Sequence, residues 1–278
     1  MNNNKTPTTT MTIPNKISIS RKGFDSSNGK MPNPIMPDGT LLSMPIPDGE
    51  DAANTYGTLT YEGKSYHDII SSLRPRTELK PDSHCHLDPD LRRDCRERPA
   101  GWRPAFGQRA AALGVLVNEQ ISVGDLFLFF GWFRQTEMTS NGLRFVKGAP
   151  DLHVVYGYLE IGEIIDSKEN IPEWMKEHPH AAAGYWQSDN AIYVAADRLS
   201  FMPEMAGAGC LPFDRKRVLT KEGCSRRVWS LPECFREIPI RYNPNAWHGD
   251  EFVSACLGQE FVFSPNEQAM DWVKNIIR

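Results

Sequence analysis

No apolar run in this chain is long enough to cross a bilayer as a helix: the longest, LFLFFGWF at 126–133, falls far short of the roughly 18–20 residues required. None of the six cysteines (Cys85, Cys95, Cys210, Cys224, Cys234 and Cys256) belongs to a CxxC pair, which argues against a zinc ribbon or a thioredoxin-type redox motif. Reduced thiols in a cytoplasm are the simplest account. Neither GxxxxGK[ST] nor GxGxxG occurs, so a P-loop and a dinucleotide fingerprint are both excluded. Internal repeats are lacking as well. The start, MNNNKTPTTTMTIPNK, has no apolar segment of the secretory kind, so residues 1–15 read as a disordered lead-in to a cytoplasmic protein without membrane contact.

Excess charge of one sign is also missing. With 31 Lys and Arg against 35 Asp and Glu, the net charge of −4 gives no global reason to bind a polyanion. The distribution is uneven, however. Residues 91–109 hold six Arg against Asp94 and Glu97, and 214–227 hold six cations against Asp214 and Glu222. Residues 151–177 carry seven acids against Lys168 and Lys176.

What is present suits a sizeable core: 278 residues, 40% of them hydrophobic, allow one large domain or two intimate lobes. We read 16–278 as one globular domain, with lobes at 16–120 and 121–278 as the variant. KISIS (16–20), TLLSMPI (40–46) and YGTLTY (56–61) alternate as strands do, between PDG turns. SYHDIISSL (65–73) predicts a short helix, and RPAFGQRAAALGVLVNEQ (103–120) another, with Pro104 near its first turn. The Pro- and Arg-dense stretch between them reads as ordered loop.

The apolar run, LRFV (143–146) and HVVYGYLEIGEII (153–165) follow in close succession as strands, then IPEWMKEH (171–178) as helix and NAIYVAA (190–196) as strand. Ser264-Pro265-Asn266-Glu267 supplies a capping box for a helix over about 265–277. The expected class is α+β and β-rich, with a curled antiparallel sheet or a PUA-like barrel in the middle and a C-terminal helix.

Three constellations could carry chemistry. In the first, a strand delivers Arg21 and Lys22 to a turn at Gly23, where glycine lets a phosphate approach the backbone. Asp25 and Asp38 nearby are candidates for general base or ribose-hydroxyl acceptor. The bland reading is a hairpin whose charges pair at the surface. In the second, DSHCHLDPD places His84, His86 and Asp88 at i, i+2 and i+4, on one face if extended. Two imidazoles and a carboxylate form a metal-ligand set, with His153, His178, His180 or His248 as a further ligand; the same groups equally suit acid/base or phosphate-donor roles. In the third, Trp247 and His248 sit in the polar stretch YNPNAWHGDEF, a candidate stacking platform for a base or a Trp capping the core. Trp102 and Trp229 lie in or beside the basic stretches, where Arg92, Arg93, Arg96 and Arg98 are candidates to track a nucleic-acid backbone.

Together, ISRKGFDSSNGKMPNPIMPDGTLLSMPIPD, SHCHLDPDL, VGDLFLFFGWFR and YNPNAWHGDEF resemble the bacterial and phage family called nucleotide-modification-associated domain, third of its series, over about 17–277. Residues 121–165 alone are similar to the central strands of PUA-like (ASCH and EVE) domains. The first resemblance implies a nucleotide or nucleic-acid base as ligand and leaves reaction, transferred group and cofactor open. The expected function is an enzyme that modifies, transfers to or hydrolyses a nucleotide or base. Asp25, His84 and His86 are its catalytic candidates, and Arg21, Lys22, Gly23, Asp38, Trp247 and His248 its ligand-binding ones. A non-catalytic reader of modified bases and a metal-dependent hydrolase or oxygenase built on His84, His86 and Asp88 are the alternatives.

Overall fold

The computed structural model describes residues 12–49, 52–187, 189–240, 245–255 and 260–278. The chain opens with β1 (Ile17–Arg21), β2 (Asn33–Ile35), β3 (Ile46–Pro47), β4 (Asn54–Thr55) and the hairpin β5 (Thr60–Tyr61) and β6 (Lys64–Ser65). Next come α1 (Tyr66–Leu73), β7 (His84–His86), β8 (Ala105–Arg109) and α2 (Ala110–Asn118). The long strands β9 (Leu126–Thr139) and β11 (Leu152–Ile165) flank β10 (Gly142–Phe145) and lead to β12 (Asn190–Ala195) and β13 (Ala208–Cys210). A small sheet of β14 (Val228–Trp229), β15 (Trp247–His248) and β16 (Glu251–Val253) precedes β17 (Glu260–Phe263) and α3 (Glu267–Ile277). No described helix is long and apolar enough to cross a membrane.

The apolar run forms the centre of the molecule. Alternation on β9 sends Leu126, Leu128 and Phe130 into one core with α3, and Phe127, Phe129 and Phe133 into another with Phe106, Tyr193 and α2. A strand buried on both faces needs no polar residue in its pattern, which is why the run is continuous. Around it the strand order is β17-β1-β9-β11-β12-β8 in a mixed sheet, with β1 parallel to β9 and the remaining neighbours on this path antiparallel.

The path curls until its ends meet. Glu260, on the terminal strand β17, accepts hydrogen bonds from Ser18 (2.9 Å) and Ser20 (2.8 Å) of β1 and from the Gln108 amide (2.6 Å) of β8, the opposite terminal strand. The Lys22 ammonium lies 3.6 Å from the same carboxylate and 4.4 Å over the Phe106 ring. Among the described residues no backbone ladder joins β8 to β17, so the sheet is curled and held by side chains rather than closed as a barrel.

Several local expectations change in the fold. The 103–120 segment divides into strand and helix, because β8 pairs with β12 through Arg109 before α2 begins at Ala110. Residues 171–178 form only a short 3-10 turn, Glu173–Met175, and 40–46 is mostly irregular apart from bridges from Thr40 to Pro212 and from Leu41 to Ile35 and the start of β3. α3 starts two residues later than expected, with Asn266 rather than Ser264 as its cap: the Asn266 side chain accepts from the Ala269 N–H at 2.8 Å.

Replacing Glu260 by Ala would strand Gln108, two buried hydroxyls and a largely buried ammonium, and is expected to cost roughly 3–5 kcal/mol in urea unfolding, with Glu260→Gln costing less. A second test concerns His153, whose Nδ1 accepts from Trp229 Nε1 at 3.0 Å inside the core. Burial, reinforced by the charges of Arg21, Arg226 and Arg227, pushes its pKa down to about 3. The folded state therefore binds this proton less readily than the unfolded chain, so stability is complete above about pH 6.5 and is lost as pH falls towards 3, by up to about 1.4 kcal/mol per pH unit. Urea midpoints measured between pH 4 and 7 are expected to lose that contribution in His153→Gln.

Candidate functional site

The strand β7 is held on both edges, by β3 and β4, so the side chains of His84 and His86 are fixed by backbone pairing. Their environments differ. His84 Nδ1 contacts the Ala52 carbonyl at 2.6 Å, whereas His86 Nδ1 contacts Asp48 Oδ2 at 2.8 Å and the Tyr185 hydroxyl at 3.0 Å. Asp88, two residues on, turns inward. Its Oδ1 accepts from the Gly107 N–H at 2.6 Å and lies 3.5 Å from His178 Nε2, while its Oδ2 lies 4.0 Å from His86 Nε2 and 3.9 Å from His180 Nε2.

His180 comes from the 3-10 turn Pro179–Ala181. Asn190, at the start of β12, holds it twice, with Oδ1 2.7 Å from His180 Nδ1 and Nδ2 donating to the His180 carbonyl at 2.9 Å. His86 Nε2 and His180 Nε2 are 3.3 Å apart. The ligating atoms of His86, Asp88 and His180 all fall within 4.8 Å of one another.

Gly107 permits this approach, because a Cβ there would lie 2.1 Å from His180 Cγ.

The electrostatics follow from burial and pairing. Burial alone would raise the Asp88 pKa, but His178 as hydrogen-bond partner and the charges of His180, His178 and His86 hold it well below the usual carboxylate range. Burial likewise opposes ionisation of Asp48, yet its contacts with His86, the Gly49 N–H and Tyr185 bring it to about 2. For His180 burial dominates, pushing the imidazole down to about 3 against the pull of Asp88. Burial and then Asp48 raise the Tyr185 hydroxyl.

This cluster lines a cleft of about 420 Å³ together with the N-terminal loop residues Arg21, Lys22, Gly23, Asp25 and Asn28. Two stretches far apart in sequence thus share one site. Within the loop, Gly23 has φ of +80°, and a Cβ would lie 2.4 Å from Ser43 Oγ, so only glycine fits. The Asp25 carboxylate accepts from the Ser27 and Asn28 N–H groups at 2.7 and 2.6 Å and so closes the turn. Lys22 leans inward to Glu260, and an Arg21 guanidinium nitrogen donates to the Ala255 carbonyl at 2.9 Å. Arg109 at the end of β8 completes the rim, 4.5 Å over the Tyr185 ring.

The other candidates lie elsewhere. Asp38 accepts from Thr40 and from the Tyr61 hydroxyl (2.7 Å) and lines a separate cleft beside α1. Trp247 packs against Phe252 under Arg236, and His248 is exposed on the same hairpin, whose preceding residues 242–244 lie outside the described residues. Trp229 and His153 are core residues, and Trp102 is covered by Arg93 and Arg98 while donating to Asp90. Arg98 forks onto Asp90, Arg92 pairs with Asp94, and Arg96 with Asn54 and Glu177. Asp48, Gly107, Arg109, Tyr185 and Asn190 had no motif to announce them. The HPH of 178–180, echoing HCH at 84–86, was the one available signal.

A family model described as Nucleotide modification associated domain 3 matches residues 16–264, which contain every residue of the cleft. The chain belongs to that family. No curated protein matches the chain, and no solved structure does. In this member of the Nucleotide modification associated domain 3 family, the contact between Gly107 and His180 is open to direct test. Gly107→Ala is expected to cost about 1–3 kcal/mol in urea unfolding through overpacking. Gly114→Ala on α2, where a Cβ meets nothing within 4 Å, is expected to be neutral or to stabilise by up to about 1 kcal/mol.

Proposed function

We propose that this protein is an enzyme acting on a nucleotide or nucleic-acid base in the cleft between the N-terminal loop and the His86–Asp88–His180 cluster. The observation that carries the reading is the convergence in one cleft of Arg21 and Arg109 with a partly buried set of imidazoles and carboxylates. Guanidinium groups suit phosphate, which they bind through paired, charge-assisted hydrogen bonds. The volume of about 420 Å³ lies within the roughly 300–1,000 Å³ usual for small-ligand sites. His86, oriented by Asp48 and Tyr185, belongs in this reading to the reacting floor of the cleft. Asp25 in this reading shapes the loop and Lys22 braces it against Glu260.

Two observations favour a reacting small ligand over a backbone-tracking or base-reading role. Arg92, Arg96 and Arg98 are engaged with Asp94, Glu177 and Asp90 and Arg93 lies over Trp102, and one Tyr185 face stacks on His86 while Arg109 lies over the ring, so among the described residues the cleft offers no open aromatic platform.

The test is mass spectrometry of the protein incubated with pooled nucleotides and short DNA and RNA, followed by binding titrations of whatever is retained. We expect a phosphate-bearing ligand that changes mass, loses affinity about 10-fold or more in Arg109→Ala, and stays bound but unconverted in His86→Gln. A ligand released unchanged would make the protein a reader, and retention unaffected by Arg109→Ala would remove the ligand from this cleft.

A further inference from the structure

We propose that His86 Nε2, His180 Nε2 and Asp88 Oδ2 form a binding site for a divalent transition metal, zinc foremost. The ring nitrogens remote from the site decide which tautomer each imidazole adopts. His86 Nδ1 lies 2.8 Å from an Asp48 carboxylate that can only accept, so Nδ1 carries the hydrogen. Asn190 donates through Nδ2 to the His180 carbonyl, which fixes its amide orientation and leaves Oδ1 facing His180 Nδ1, so that nitrogen also carries its hydrogen. Both Nε2 atoms therefore present lone pairs, and they do so to each other at 3.3 Å.

Two acceptors at that distance form no hydrogen bond. A cation between them converts repulsion into coordination, and the spacing suits one: tetrahedral zinc with bonds of about 2.0–2.1 Å to nitrogen separates its imidazole nitrogens by about 3.3–3.4 Å.

The carboxylate is prepared in the same way. Asp88 Oδ1 is occupied by the Gly107 N–H. His178 Nδ1 accepts the His180 N–H at 3.2 Å, so its Nε2 bears the hydrogen that faces the same Oδ1 at 3.5 Å. Oδ2 is left towards the two imidazoles, at 4.0 and 3.9 Å, close enough for a small rotation of the carboxyl group to complete the set. Ligating histidines ordinarily donate their second N–H to a carboxylate or carbonyl, which orients the ring; Asp48 and Asn190 supply both partners. Three protein ligands leave at least one position open to the cleft, the arrangement of catalytic rather than structural zinc.

The site also answers an electrostatic question. Among the described residues the cleft lining sets Arg21, Lys22 and Arg109 against Asp25, Asp48 and Asp88, three cations against three carboxylates, so the attraction of the arginines for phosphate is offset within the cleft. A divalent ion makes the cleft cationic at its floor. Metal binding stands on side-chain geometry alone; its service to a nucleotide rests on the function proposed above, and the experiment separates the two.

Protein purified without chelator is assayed for metal content, then stripped and titrated with Zn²⁺, and with Fe²⁺ and Mn²⁺ under anaerobic conditions, with no nucleotide present. One equivalent per chain is expected, lost in His180→Ala and Asp88→Ala, weakened about 10–100-fold in Asp48→Asn, and retained in His84→Ala, whose ring faces Ala52 instead. X-ray absorption of the zinc-loaded wild-type protein, which needs no variant to fold, should show nitrogen and oxygen neighbours and no sulfur. Failure of the wild-type protein to take up any of the three ions, retention of metal by folded His180→Ala, or a sulfur neighbour overturns the site. Metal uptake without nucleotide binding keeps the site and overturns its link to nucleotides.

Discussion

The Glu260 carboxylate joins the two ends of the curled sheet, and the cleft exists because they are joined. Ser18 and Ser20 reach it from β1, Gln108 reaches it from β8 at the opposite end of the strand order, and Lys22 approaches from the start of the N-terminal loop. A buried acceptor with several donors is costly to leave half satisfied, so the arrangement specifies one closure of the sheet rather than a family of them. Three consecutive residues of β8 then face three tasks. Gly107 gives its N–H to Asp88 and its missing side chain to His180, Gln108 turns to Glu260, and Arg109 lies on Tyr185.

The His86–Asp88–His180 cluster is organised from outside inward. Each of its members is held by a partner on its far side: Asp48 on His86, Asn190 on His180, Gly107 and His178 on Asp88. Such support fixes ring orientation and tautomer before any ligand arrives, which is what a reacting centre requires and what a surface patch of the same residues would lack. The cost falls on Asp88, a carboxylate almost removed from solvent, whose ionised form depends on the imidazoles around it.

Sequence patterns made much of the scaffold legible and only half of the site. Period-two alternation identified β1, and apolar stretches identified β9, β11 and β12, whose faces are committed to cores on either side, and the apolar face of α3 was plain because solvent covers its other side. The 103–120 segment read as one helix because Ala, Leu and Val fit either state; the β12 partner, unknowable from local sequence, draws 105–109 into a strand. Likewise the loop around Gly23 and the histidines at 84–86 each stood out alone. Nothing local indicated that they face each other, or that His180, one of four candidate companions, is the histidine that completes the cluster; both depend on the curl of a sheet whose ends are more than 150 residues apart in sequence.

The charge segregation of the sequence dissolves in the fold, and this bears on what the protein can bind. Basic residues of 91–109 meet the acidic stretch 151–177 directly, Arg96 on Glu177 and Arg103 on Glu163. In the second basic stretch Arg217 bonds the Ile276 and Pro212 carbonyls, Lys221 pairs with Glu251, Arg226 lies over Trp132, and Arg227 bonds the Ser254 carbonyl. Among the described residues these cations join elements of the fold rather than forming a long positive track of the kind that follows a nucleic-acid backbone. On the function proposed above, attraction for a phosphate would arise locally, from a small number of groups lining the cleft. In that reading the ligand, or a portion of it, is small enough to enter the cleft of about 420 Å³.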